Sequence, residues 1–133
     1  MSDHKQSADR PLSPHLQVYR LPLTALMSIS HRASGYALSL GTAMIVWMLV
    51  AAAIGPEAYG VFYSFVGSWV GQLMIFGWSV ALFYHMSNGV RHLFWDMGYF
   101  FKLENAAKSG YVVIASTIIL TALTWWFACP WHE

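Results

Sequence analysis

Charge is what this sequence has least of. Asp, Glu, Lys and Arg make up 10% of its 133 residues, while 57% are apolar and the net charge is +1. Soluble domains carry about 25% charged residues, so there is too little polar material here to clothe a globule in water. The lack of a basic excess excludes a nucleic-acid partner, and the apolar content excludes a disordered chain. Cys129 is the single cysteine, which leaves neither a disulfide framework nor a thiolate metal site. Met1–Arg20 contains Asp3 and Asp9 and no apolar run, so neither a signal peptide nor a mitochondrial transit peptide is expected. The class that remains is a small all-α integral membrane protein.

The positions without charge organise the chain. No Asp, Glu, Lys or Arg occurs in 33–56, 58–90 or 109–132. A helix needs about 20 residues to cross roughly 30 Å of hydrocarbon, so each gap accommodates one crossing. Three transmembrane helices are predicted, near Ser30–Ile54, Phe62–Asn88 and Ser109–Ala128, forming an anchor of residues 28–133 after an N-terminal segment of residues 1–27. Gly55-Pro56 ends the first helix and a short Gly55–Val61 loop follows it. All seven basic residues fall on one side of this arrangement, which the positive-inside rule makes the cytoplasmic side. The N-terminus is then cytoplasmic and the C-terminus periplasmic. Trp95, Tyr99, Phe100 and Phe101 at one end, and Trp125, Trp126 and Trp131 at the other, fit interfacial belts or contacts with partner subunits. Gly67-x-x-x-Gly71 is a spacing that permits close approach of a neighbouring helix. No internal repeat of the transporter type is present.

Polar groups within the apolar spans locate the candidate chemistry. His85 lies in the longest uncharged gap, about 9 Å deeper than Arg91 at the helical rise per residue. An ionisable group at that depth is a functional-site candidate, and neutral imidazole is an axial ligand for haem iron. The other reading is a histidine bonded to a facing helix. Gly89 and His92 follow His85 at one and two turns on the same face. Ser28, His31 and Arg32 share a face at the start of the first helix. Because the first two helices run in opposite directions, both groups lie at the cytoplasmic side. Together they form a basic, donor-rich pocket suited to the propionates of haem b or the carbonyls of a quinone, although Arg32 and Arg91 also serve as snorkelling anchors. His92 projects from the same side of the same helix as His85, and His31, which could take the other face from the first helix, lies closer to the interface beside Arg32, so a second axial ligand is expected from another polypeptide.

Three ordered motifs carry a family resemblance: Arg10-Pro-Leu-Ser-Pro-His-Leu-Gln-Val-Tyr19, Ser28-Ile-Ser-His-Arg-Ala-Ser-Gly35, and His85-Met-Ser-Asn-Gly-Val-Arg-His-Leu-Phe-Trp-Asp96. They resemble the cytochrome b556 subunits, the larger of the two membrane-anchor families of succinate dehydrogenase (complex II). The opening motif is similar to the mitochondrial and alphaproteobacterial branch, and a bacterial inner membrane is expected. Ser34 stands where Thr is usual, and Cys129–Glu133 matches no motif of the family.

The resemblance implies a complex with a flavoprotein, an iron–sulfur subunit and a second hydrophobic anchor subunit, with haem b shared between the anchors and ubiquinone as substrate. By motif position, it makes His85 the axial haem ligand and places His31, Arg32 and His92 near the propionates. Ser28 and Arg32 match quinone-binding positions. Asp96 is expected either to assist proton delivery or to pair at the helix end, and Arg10–Tyr19 to contact the iron–sulfur subunit. A fumarate reductase anchor, a cofactor-free anchor and a small transporter are the alternatives. The transporter is disfavoured by the odd span count and the lack of a membrane-embedded carboxylate.

Overall fold

The structure, a computed structural model, describes residues 20–99 and 102–128, with the side chains of residues 103 and 104 excluded. Four helices account for almost all of it: α1 (Leu23–Ile54), α2 (Pro56–Gly67), α3 (Trp69–Asp96) and α4 (Leu103–Ala128). The expected Arg10–Tyr19 surface segment, Phe100, Phe101 and the Cys129–Glu133 tail lie outside the described residues.

By length and composition, α1 and 105–128 of α4 are each apolar enough to cross a membrane, and α2 with α3 makes a third candidate if the bent pair is one span. The helix pair bends by 76° at Ser68. The span expected at Phe62–Asn88 is therefore displaced: its first residues belong to a separate helix, and its C-terminal part continues to Asp96. Gly55, at φ 136°, ends α1 as expected. The segment after it is a helix rather than a loop. Pro56 opens α2 with Glu57 in its first turn, both favourable at a helix N-terminus.

The bend at Ser68 has a local chemical cause. The Ser68 hydroxyl donates to Phe65 O at 2.5 Å and accepts the Gly71 amide at 3.2 Å, capping the new helix. The Gln72 amide donates to Val66 O at 2.9 Å. A Cβ at Gly71 would collide with the Phe65 carbonyl, so this glycine serves the bend. Gly67 meets nothing within 4 Å, and the Gly67/Gly71 pair does not act as one helix-packing notch here.

Bundle packing relies on small residues and isolated polar contacts, as expected where lipid removes the hydrophobic incentive for helices to associate. Gly110, Val113, Thr117 and Thr121 form the buried stripe of α4 at helical spacing. Gly110 accepts Met27 of α1 closely, leaving no room for a Cβ. Gly41 of α1 does the same for the Trp78 indole of α3, whose Nε1 donates to Leu38 O at 3.4 Å. Trp125 donates to Ser79 Oγ at 2.9 Å and meets Phe76 edge-on. This tryptophan, expected at an interfacial belt or against a partner subunit, makes a contact between α3 and α4 within the chain. Large apolar side chains such as Tyr36, Leu40 and Phe127 cover the outside.

Candidate functional site

His85 is held where α3 crosses α1. Its Nδ1 lies 3.2 Å from the carbonyl oxygen of His31 and 3.1 Å from the hydroxyl of Ser34. The Ser34 hydroxyl itself donates to the His31 carbonyl at 2.7 Å. Ser34 therefore has its oxygen lone pairs available to the imidazole, and the satisfying arrangement is an Nδ1–H donated by His85. That assignment leaves the Nε2 lone pair for a ligand, because neutral imidazole carries only one N–H. Gly35 lies beside the ring. A Cβ there would approach His85 Cε1 to 3.2 Å, closer than ordinary packing.

His31 stacks on His85 with ring centroids 4.1 Å apart and an interplanar angle of 16°. His92 tilts against the other ring of this series, 5.2 Å from His31, and meets Trp95 edge-on at 5.1 Å. Three histidines predicted from two separate motifs are thus brought into one row. Carbon atoms touch at about 3.5–4.0 Å, so the His31–His85 pair is in van der Waals contact with no space for a macrocycle between the rings. His31 cannot be the opposite axial ligand to His85. Among the described residues, no group of three or more His, Cys, Asp or Glu side chains is arranged to hold a metal ion. The Nε2 atom of His31 is buried and has no hydrogen-bond partner.

His85 opens onto a cleft of about 510 Å³ lined also by Arg32, Gly35, Tyr36, Leu38 and Ser39. That volume falls in the range of ligand sites, about 300–1,000 Å³. Arg32 and Ser28 are both exposed, and Arg32 joins His85 at the cleft while Ser28 does not line it. Gly89, one turn beyond His85, has open space where a Cβ would stand. Asp96 is the last residue of α3 and is exposed.

Arg91 departs from the basic pocket expected of it. Its guanidinium turns towards α4, with Nε donating to Ser109 Oγ at 2.8 Å and Nη2 to Ala106 O at 2.8 Å. Nη1 reaches Asn88 Oδ1 at 3.2 Å and Met27 Sδ at 3.7 Å. The Trp95 ring lies 4.1 Å beneath the cation. Arg91 thereby joins α1, α3 and α4, while Arg32 is the cation that remains beside His85. Adjacent helical residues point about 100° apart, which lets Arg91 and His92 serve different faces. Tyr84 adds a second cross-link, donating to Met27 O at 3.1 Å. Tyr84 has no role in the sequence reading, and Ser34 is noted there only as standing where Thr is usual. The only signal for Ser34 was its place in the second motif, three residues after His31.

The chain matches the family described as succinate dehydrogenase/fumarate reductase transmembrane subunit over residues 6–124. It is 48% identical over 116 residues to the succinate dehydrogenase cytochrome b556 subunit of Paracoccus denitrificans, covering 87% of this chain and 89% of that protein. It is 35% identical over 116 residues to the equivalent-named protein of Rickettsia felis, covering 87% of this chain and 90% of the relative. The succinate dehydrogenase cytochrome b560 subunit of Marchantia polymorpha is 37% identical over 123 residues, covering 86% and 88%.

Proposed function

The chain belongs to the succinate dehydrogenase/fumarate reductase transmembrane-subunit family, and from that premise we propose that it anchors succinate dehydrogenase, ligates one face of a haem b and helps form a ubiquinone-reduction site. The succinate dehydrogenase names of the relatives support this direction over a fumarate reductase anchor. The chain acts as one subunit beside a flavoprotein, an iron–sulfur subunit and a second hydrophobic anchor, and is inactive alone. Its basic end faces the cytoplasm of a bacterium whose inner membrane it spans.

The observation that carries the haem reading is the fixed imidazole of His85. Hydrogen bonding at Nδ1 sets the tautomer and orientation of a ligating histidine, and here His31 O and Ser34 Oγ supply that bonding. The residues fit the group: one presentable Nε2, an adjoining cleft with Arg32, a glycine opposite Cε1 and open space at Gly89. Arg32 and His92 would hold the propionates, and the orphaned Nε2 of His31 would gain a partner there. A second histidine to hold the haem would come from the sister anchor, since His31 is committed to stacking. When bound, haem supplies a one-electron redox centre whose potential the surrounding hydrogen bonds adjust.

Ubiquinone binds at the same cytoplasmic end as substrate. It accepts two electrons from the iron–sulfur relay and two protons from the cytoplasmic side, giving ubiquinol. The Arg32 cation favours the negative charge that develops on a quinone oxygen, and the Ser28 hydroxyl orients the ring. Asp96, exposed at the end of α3, delivers protons towards the site.

Purification of the intact complex in mild detergent, followed by a reduced-minus-oxidised spectrum, tests this reading. A b-type band should accompany the wild-type complex and be lost or altered in His85→Ala. A chain recovered without the three partners, or an unchanged spectrum in His85→Ala, would overturn it.

A further inference from the structure

The bundle shields one side of α2 only. At about 100° per residue, Ala58, Phe62, Phe65 and Val66 fall on one face, and these are the residues of α2 that are buried or half-buried. Trp47 of α1 meets Phe62 edge-on at 5.1 Å and Phe65 at 5.2 Å. The opposite face carries Glu57, Gly60, Ser64 and Gly67, three or four residues apart and all exposed. Tyr59 and Tyr63 lie on the border between the two faces, and both are exposed. α3 runs antiparallel beside α1, with Trp78 against Leu38 and Gly41 and His85 against His31, so these two helices share the crossing direction. α2 is turned 76° from α3. A helix of 12 residues is about 18 Å long, which at this angle advances only about 4 Å along the crossing direction. α3 does not need that advance to cross. Residues 69–90 carry no charge, and about 20 residues suffice for a crossing.

We propose that α2 lies along the membrane surface at the end of the bundle opposite the histidines, with Tyr59 and Tyr63 among the lipid headgroups, Glu57 and Ser64 in water, and α3 alone making the second crossing. The partner of its outer side is the headgroup layer. A helix with one apolar and one polar face rests in the interface plane, and a tyrosine there keeps its ring in the apolar layer and its hydroxyl wet. The apolar lipid-facing surface continues on both sides of α2, through the exposed Leu49, Val50 and Ile54 of α1 and Trp69 and Leu73 of α3. Were α2 instead sunk into hydrocarbon, its carboxylate and hydroxyl would be placed in lipid at a large cost. No basic residue occurs in 33–90, so attachment rests on apolar burial and the tyrosines rather than on attraction to anionic lipid. The placement is independent of the haem and quinone assignments.

The test uses the intact complex in sealed membrane vesicles of each orientation, with Cys129→Ser so that an introduced cysteine is the one this chain carries. Reaction with a membrane-impermeant maleimide is read as the mass shift of this chain. Glu57→Cys and Ser64→Cys should react to a similar extent and from the same side. Val46→Cys, exposed on α1 at about the depth Ser64 would reach in a continuous span, should react at least severalfold less. Which side reacts reports on the orientation proposed above, separately from the placement of α2. If a variant fails to assemble, wild-type complex in nanodiscs is footprinted with hydroxyl radicals, and Tyr59 and Tyr63 should be oxidised alike. Ser64→Cys protected as fully as Val46→Cys, or Tyr63 spared while Tyr59 reacts, would mean that α2 descends into the membrane and would overturn the proposal. Protection of Glu57→Cys and Ser64→Cys together would place a protein partner on the polar face and overturn it too.

Discussion

The ring of His31 lies flat against the ring of His85, 4.1 Å away, while the carbonyl of His31 faces Nδ1 of the same imidazole at 3.2 Å. One residue of α1 thus fixes a residue of α3 twice, through its side chain and through its backbone. The stack sets the plane of His85 and the carbonyl sets its tautomer. That division explains how a lone imidazole within a membrane helix is kept in one orientation.

Ser34→Ala removes one of two acceptors offered to His85 Nδ1. An acceptor at Nδ1 enriches the imidazole in electron density and favours the ferric state of a ligated iron. In the intact complex, Ser34→Ala should retain haem but raise its midpoint potential, with Ser34→Thr returning it towards wild type. Redox titration of the b-type band checks this. An unchanged potential would show that Ser34 serves packing alone.

Arg32→Ala leaves the histidine row intact, because Arg32 is exposed and contributes to the cleft rather than to the bundle. Ubiquinone reduction by the complex should fall by about 10²–10³-fold, the range typical of removing an electrostatic stabiliser. Succinate oxidation with a soluble artificial acceptor should persist. Parallel assays with the two acceptors separate these effects.

Gly41→Leu places a branched side chain where the Trp78 indole now lies. Overpacking of this kind costs about 1–3 kcal/mol, and the contact between α1 and α3 that it disturbs also positions His85. Thermal unfolding of the detergent-solubilised complex should show a lower midpoint, with haem lost at a lower temperature than in wild type. Gly60→Leu, where nothing lies within 4 Å, is the matched control and should behave as wild type.

Arg91→Lys preserves the charge but not the planar fork that serves Ser109, Asn88 and Ala106 together. Its expected phenotype is reduced yield of assembled complex and a lower unfolding midpoint, with ubiquinone affinity unchanged in the complex that does assemble. A weaker Michaelis constant for ubiquinone at normal stability would instead place Arg91 at the quinone site.

Most of the site was legible because its residues lie on two short motifs whose helical spacing fixes their faces. His31 and Arg32, or His85 and His92, share a helix, so local geometry nearly suffices to group them. The bend at Ser68 was harder to foresee. No charge interrupts 58–90, and a break in a charge-free stretch leaves no mark on a census of charges. The signals present were weaker: Pro56 with Glu57 as a helix start, and Ser68 three residues before Gly71 as a second one.

The sequence by itself determined that this is a helical membrane protein, because a chain with 10% charged residues must bury or lipid-coat its apolar surface and satisfy its backbone within helices. It also determined which two segments carry the histidines. Only the tertiary structure decided how those segments meet: that His31 stacks on His85 rather than facing it across a gap, that Ser34 serves the same imidazole, and that Arg91 turns to α4 while Arg32 stays at the cleft. The rise and turn of a helix fix where a side chain starts, but the rotation of one helix against another decides what it touches, and that rotation is set by close approaches such as Gly41 on Trp78 and Gly110 on Met27.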